Sequence, residues 1–515
     1  MKRRLTLMML CVMVALACPL ESFPGQLRRE ECEALLNKSV ELLRQRKVIE
    51  AQRTLQGAER GCAAIPGIYA TLALSYDLQS QHLKAQQAYR KAIALNPNIA
   101  QFHDNFGASY AASGNYAASV AEFEKALKID PHDLAANLNL ARYYLQQRAY
   151  PHAIGYFRAA GVQQSSSIGA LMELTQAYFG AHNIPAARET AVRLSGLAGS
   201  DPKVHFSLGL LLAENGQYQM AADEFSAVPA AARDFAAYMN LGMVYSKLRK
   251  FKDARNAYES ALQLNPSNPE PYLHIGMDAA AMGERAEAVN WIGQAHAEAP
   301  QREDISYAFA EALIQSGNYD QAGGVLSNAL RLHPDSPGLI EAQGDLYLQQ
   351  DQNEQAKQAY LRCLEINPLL PGARFSLAKA YLGLHQPQAA RQQLEKVLQT
   401  QPENADANAQ LARMAFDAGR LEEAERLIAK ALQADPENRV ANETLAEIEI
   451  REGRYSEAYG ILKKLVKLDP KAPRFHYLLG RVLVRLGRPA EAEREFKLSQ
   501  SSQNAAPAAR PTVSN

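Results

Sequence analysis

One tryptophan serves a chain of 515 residues, and only five cysteines are spread along it. No run of β-branched residues alternates with polar ones, which excludes a sheet with one solvated face. An excess of either charge is also missing. The 55 lysines and arginines equal the 55 aspartates and glutamates, so no long-range field draws the chain toward nucleic acid or an anionic membrane. Catalytic motifs are absent as well: there is no P-loop, no G-x-S-x-G elbow and no Cys/His ligand spacing. The eleven histidines are scattered, and Gly323-Gly324 sits in a helical pattern with no phosphate-loop context. An enzyme needs a converging nucleophile, base and orienting group, or a metal set. The expectation is a protein that is not an enzyme, with no catalytic residue, metal or cofactor.

What remains is helical. Alanine, leucine, glutamine and arginine dominate from end to end. The first residues, Met1-Lys2-Arg3-Arg4, precede an apolar run from Leu5 to Ala17. A basic start with a short apolar core fits an export signal over residues 1–17 better than a membrane span, which needs ~20 apolar residues. Ala15-Leu16-Ala17 reads as a cleavage site, and with Cys18 it also resembles a bacterial lipobox, which makes Cys18 a lipidation candidate. Uncleaved, the same segment would be an anchor. Each alternative predicts an exported protein: periplasmic, secreted, or lipid-anchored in the cell envelope. Residues 18–31 read as a leader.

The rest of the chain has a period. Ala51, Ala85, Ser119, Ala153, Ala187, Ala221, Ala254, Ala288, Ala322, Ala356, Ala390, Ala424, Ala458 and Ala492 follow one another at 34 residues, once at 33. Such small residues let two helices approach closely. Aromatics keep the same beat at Tyr89, Phe123, Phe157, Phe225, Tyr258, Tyr360 and Phe496, and glycines stand at Gly107, Gly242 and Gly276. Prolines close successive units at Pro97, Pro131, Pro266, Pro300, Pro334, Pro368, Pro402, Pro436 and Pro470, where they stop one helix and open the next. Glycine-led turns such as Gly114-Asn115-Tyr116 and Gly453-Arg454-Tyr455 separate the two helices of a unit.

These residues, for example Phe106-Gly107-Ala108-Ser109-Tyr110 through Gly114, Ser119, Phe123 and Ala126 to Pro131, resemble the tetratricopeptide repeat (TPR) family. The resemblance implies an all-α fold, a right-handed superhelical solenoid of about fourteen helix-turn-helix repeats over 32–499. The repeats begin at residues 32, 66, 100, 134, 168, 202, 235, 269, 303, 337, 371, 405, 439 and 473. The fourth has Ser165 where a proline is usual, and the sixth is one residue short. Residues 500–515, rich in serine, alanine and proline, are expected to form a disordered tail. Cys32 and Cys62 fall at the two termini of the first hairpin, which lie at the same end, so they are a disulfide candidate. Cys363 is expected to be buried and inert.

Function then rests on a surface. The resemblance assigns the inner face to selected positions of each first helix. In the fifth to eighth repeats these are Met172, Phe179, Phe206, Leu210, Met239, Met243, Leu273 and Met277, an adaptable apolar groove. Later repeats place Tyr307, Glu311, Glu341, Asp345, Phe375, Lys379, Arg413, Glu447, Tyr477 and Arg481 there, and the groove turns charged. Asn37, Asn105, Asn139 and Asn240 resemble the asparagine ladder that clamps peptide backbones in the repeats of O-GlcNAc transferase. The implied partner is a protein segment or amphipathic helix, with no nucleic acid, and with membrane contact only through the N-terminal lipid or signal. The reading is a scaffold for protein–protein interaction in the envelope. Alternatives are a periplasmic scaffold of an exopolysaccharide export machine, or a targeting arm of an enzyme complex.

Overall fold

A computed structural model describes residues 27–505; the expected signal (1–17), Cys18 and residues 506–515 lie outside it. Among the described residues there are 28 α-helices, two short 3₁₀ turns and no strand. The helices pair as hairpins in chain order, from Arg29–Arg44 with Val48–Ala58 to Pro473–Arg485 with Pro489–Ala505. The last helix therefore runs to Ala505, into the segment 500–515 expected to be a tail. The chain divides into two compact bodies between Ala261 and Leu262. No helix among the described residues is long and apolar enough to cross a membrane.

The local chemistry of each hairpin explains its boundaries. First helices start on proline at Pro202, Pro269, Pro337 and Pro473, where the missing N–H would have no helical partner. Elsewhere an asparagine or aspartate accepts from the third residue on: Asp133 from the Ala136 N–H at 2.8 Å and Asn404 from the Ala407 N–H at 2.9 Å. Between the helices of each hairpin one residue takes positive φ. It is glycine in seven repeats, at Gly114, Gly216, Gly283, Gly317, Gly419, Gly453 and Gly487. In the other seven the same conformation is forced on Arg46, Ser80, Arg148, His182, Arg249, Asp351 and His385. Where repeat four lacks its proline, the second helix stops at Ala159 and the chain crosses by the 3₁₀ turn Val162–Gln164. The short sixth repeat crosses by a second, Ala230–Ala232.

Packing follows the period. Every small residue of the alanine series is buried, none above 3% exposed. Each framework glycine makes room for a side chain sixteen residues later on its own second helix. A Cβ on Gly242 would lie 2.4 Å from the Tyr258 ring, and one on Gly107 would lie 2.7 Å from Phe123. The structure joins Cys32 to Cys62, with Cα atoms 5.7 Å apart. Buried Cys363 donates its thiol to the Pro337 carbonyl at 3.4 Å, and burial pushes that thiol up to about 11.

A further link ties eight of the repeats to the segment that precedes them. The fourth residue of a repeat reaches back six positions and donates to the carbonyl of the residue closing the previous repeat. His103, Asn137, His205, Ser306, Arg374, Asn408, Asn442 and His476 all do so, toward Pro97, Pro131, Gly199, Pro300, Pro368, Pro402, Pro436 and Pro470. These carbonyls lie past a helix C-terminus, where the helix itself offers no donor. Histidine serves as the donor at three of these joints, His103, His205 and His476.

Candidate functional site

The first helices carry the surface available to a partner, and each body is described by itself. In the N-terminal body, Phe179 and Met239 are buried, and Phe179 belongs to the core around Tyr178 and Phe225. They correct the expected groove, because a residue in the core offers nothing to a ligand. Met172, Phe206 and Leu210 are half-buried against the same core, the Phe206 ring 5.7 Å from that of Phe225. Met243 alone of this set is well exposed, at 43%.

The asparagines resembling a backbone ladder are partly engaged within the protein. Asn139 donates to Asp104 at 3.2 Å, Asn105 accepts from Gln101 at 3.3 Å, and Asn240 donates to its own helix at the Ala236 carbonyl, 2.8 Å away. Asp104 is only 1% exposed, and burial, reinforced by Asp133, raises its carboxyl to about 7. The fully buried Tyr89 hydroxyl faces the Asp77 carboxylate, and burial and that charge push its phenol upward.

In the C-terminal body Leu273 is buried, a second correction, whereas Met277 is 51% exposed. From Met277 onward one position recurs every 34 residues: Met277, Glu311, Asp345, Lys379, Arg413, Glu447 and Arg481. Met277, Glu311, Lys379 and Arg481 are exposed, and Asp345, Arg413 and Glu447 are half-buried. The early part of this row is acidic. Burial and the carboxylates of Glu311, Glu341 and Asp345 push the Tyr307 phenol upward. Burial likewise raises Asp345, against the Tyr360 hydroxyl that donates to it at 2.6 Å. Farther on, burial would raise Glu447, but Arg413 at 2.9 Å and Arg474 at 2.6 Å hold its carboxyl below the usual range.

Beyond Glu447 lies a hollow of about 630 Å³ in the last three repeats. Half-buried Ile450 and Phe496 and exposed Val484 form apolar walls over the buried Leu478 and Val482, and Arg451, Arg481 and Arg485 stand exposed around them. None of these three arginines pairs with a carboxylate among the described residues; Arg481 lies 5.8 Å from the Tyr477 ring centre. Only Arg481 stood out in the sequence. The signal for Arg485 was its place one turn after Arg481, and for Arg451 its place one repeat before Arg485. Among the described residues no group of three or more His, Cys, Asp or Glu side chains can hold a metal ion.

Models described as tetratricopeptide repeat match residues 66–99, 105–167, 173–237, 235–268, 279–346, 340–368 and 381–448. A model of anaphase-promoting complex, cyclosome, subunit 3, matches 417–497. Among curated proteins the chain is 24% identical over 207 residues to the BBSome complex member BBS4 of Bos taurus. That match spans 40% of this chain and 40% of the relative's length. Among solved structures it resembles a tetratricopeptide repeat protein from Parabacteroides merdae, with 18% identity and a TM-score of 0.43 over 47% of this chain and 97% of that one. It also resembles yeast Tom70, with 16% identity and a TM-score of 0.38 over 82% of this chain and 97% of the other.

Proposed function

Because this chain belongs to the tetratricopeptide-repeat family, we propose that it is an exported, non-catalytic scaffold that binds partner-protein segments along its first helices. The observation that carries this reading is the row from Met277 to Arg481. One repeat position, sampled seven times in one body, presents an apolar group, two acids, two bases, an acid and a base in that order. The buried alanine position keeps a small residue, whereas this one varies in polarity and sign from repeat to repeat. A first-helix position that varies in this way suits an extended segment or helix read along its length. The curated relative is named as a member of a complex, which agrees with a scaffold role. Export is supported by the signal-like residues 1–17 and by the Cys32–Cys62 pair, since disulfides persist in oxidising compartments.

The test is selection of short random peptides on the purified protein, followed by substitution. Binding lost with Met277→Glu or Lys379→Glu and kept with Leu361→Glu, an exposed change on a second helix, is the expected result. Peptides indifferent to both first-helix changes would sink the reading. Export is checked by sequencing the N-terminus of the protein recovered from the envelope; an intact Met1 in a cytoplasmic fraction would refute it.

A further inference from the structure

We propose that the hollow among Arg451, Arg481 and Arg485 is a docking pocket for an acidic segment that also carries aliphatic side chains. The proposal rests on the partner-binding reading above and names the chemistry of one partner. Its walls, the half-buried Ile450 and Phe496 with the 53% exposed Val484 beside them, leave apolar surface uncovered in a recess large enough for two or three side chains. Around that surface stand three exposed guanidinia with no carboxylate partner among the described residues. The neighbouring arginines behave differently: Arg413 and Arg474 are both satisfied by Glu447. The positive charge of the hollow is therefore left over after internal pairing.

The helix ends do not account for this charge. Arg451 and Arg485 close their helices, where a cation is favoured by the helix dipole. Yet the same repeat position holds Asp417, Gly383 and Gln349 in the three preceding repeats, so the framework does not demand a base there. Arg481, a full turn earlier, lies i,i+4 from Arg485, and like charges at that spacing destabilise a helix. An occupant bringing carboxylates to these guanidinia would relieve that repulsion while its aliphatic groups cover the walls. Planar guanidinia suit carboxylate, and the apolar walls lower the local dielectric and strengthen each pair. The walls also favour a peptide over a nucleic-acid backbone, which has no aliphatic side chains to bury.

The experiment measures binding of three labelled synthetic peptides to the full chain: one alternating Glu and Leu, one with Lys for Glu, and one with Gln for Glu. A single-stranded RNA oligonucleotide of matching charge is the fourth probe. The expected result is binding of the Glu peptide alone, weakened by salt and weakened roughly tenfold or more by Arg481→Gln with Arg485→Gln. Val484→Asp, an exposed change, gives a second loss without touching the arginines. Equal binding of the Glu and Gln peptides, binding unchanged in these variants, or RNA binding as tight as that of the Glu peptide would each overturn the proposal. If peptides selected at Met277 and Lys379 still bind while the Glu peptide does not, only this pocket falls and the scaffold reading stands.

Discussion

His205 and Glu224 lie nineteen residues apart on the two helices of one hairpin and meet at 2.7 Å, both buried. The other ring nitrogen donates to the Gly199 carbonyl at 3.0 Å. With an acceptor on each side, the ring is best served by carrying both protons. Burial opposes that charge, but the carbonyl and the carboxylate outweigh it, and the imidazole titrates above its ordinary 6.5.

His205→Asn tests this joint. Asparagine already makes the same backward hydrogen bond at Asn137, Asn408 and Asn442, so the variant keeps the carbonyl partner and deprives Glu224 of its cation. The expected loss is about 1.5–3 kcal/mol. Because the folded value is raised, this stabilisation is complete below about pH 6.5 and drains away as pH rises through the folded value. Urea unfolding of both proteins across that range should show the gap narrowing with pH; a gap independent of pH would rule out the charged ring.

Gly242 and Gly324 should respond to alanine in opposite directions. A methyl on Gly242 meets the fully buried Tyr258 ring, which has nowhere to go, so Gly242→Ala should cost about 1–3 kcal/mol. Gly324 is exposed in the middle of Tyr319–Leu332 with nothing within 4 Å of the added carbon. There Gly324→Ala should stabilise by about 0.5–1 kcal/mol. Thermal midpoints decide it, and two shifts of the same sign would contradict the packing argument.

The contrast between those glycines marks what could be read in advance. Spacing finds positions every repeat needs, and so the alanine series, the hairpin order and the recurring aromatics were all visible in the sequence. It does not tell whether a first-helix residue faces the core or the solvent when both fall within one helical step. Phe179, Met239 and Leu273 were assigned to the groove for that reason, and each is buried. The backward joints were hidden because histidine, asparagine, serine and arginine share a donor but not a residue type. The vacant guanidinia of Arg451 and Arg485 could be recognised only once the carboxylates around them were placed.

His385 is a non-glycine residue held at φ 57° between two helices, where Gly419 and Gly453 serve the next repeats at φ 77°. A side chain in the left-handed region carries a cost of about 1–2 kcal/mol that glycine avoids. His385→Gly should therefore stabilise the C-terminal body by up to about 1 kcal/mol, after the greater freedom of unfolded glycine is subtracted. Chemical denaturation reads the shift, and a clear destabilisation would mean that the imidazole makes a contact worth more than the strain.

Cys32 and Cys62 close a loop of sequence separation 30 around the first hairpin. Such a loop is worth ~2–4 kcal/mol. Since a repeat array unfolds from weakly held ends, the effect should be local. Cys32→Ser with Cys62→Ser should speed amide exchange across Arg29–Ala58 and leave the last repeats as they were. Unchanged protection at the first hairpin would show that the bridge adds nothing there.

Asp104 gives the last test, again one of sign. Its carboxyl, buried in the helix Ala100–Ala112, is raised from 3.8 to about 7 by burial and by the charge of Asp133, while Asn139 partly opposes the rise. A carboxyl with a raised folded value favours folding only while it holds its proton. The contribution of this group should therefore fall as pH climbs from about 4 to about 7 and stay constant above. Asp104→Asn stays neutral throughout and can still accept from Asn139 through its amide oxygen. The variant should match the wild type near pH 4 and exceed it by about 1–3 kcal/mol at pH 8, the usual cost of burying a poorly paired polar group. Denaturation midpoints at the two values give the answer. A variant weaker than the wild type at pH 8 would mean that the ionised carboxylate is stabilised in place by a donor that turns toward it in solution.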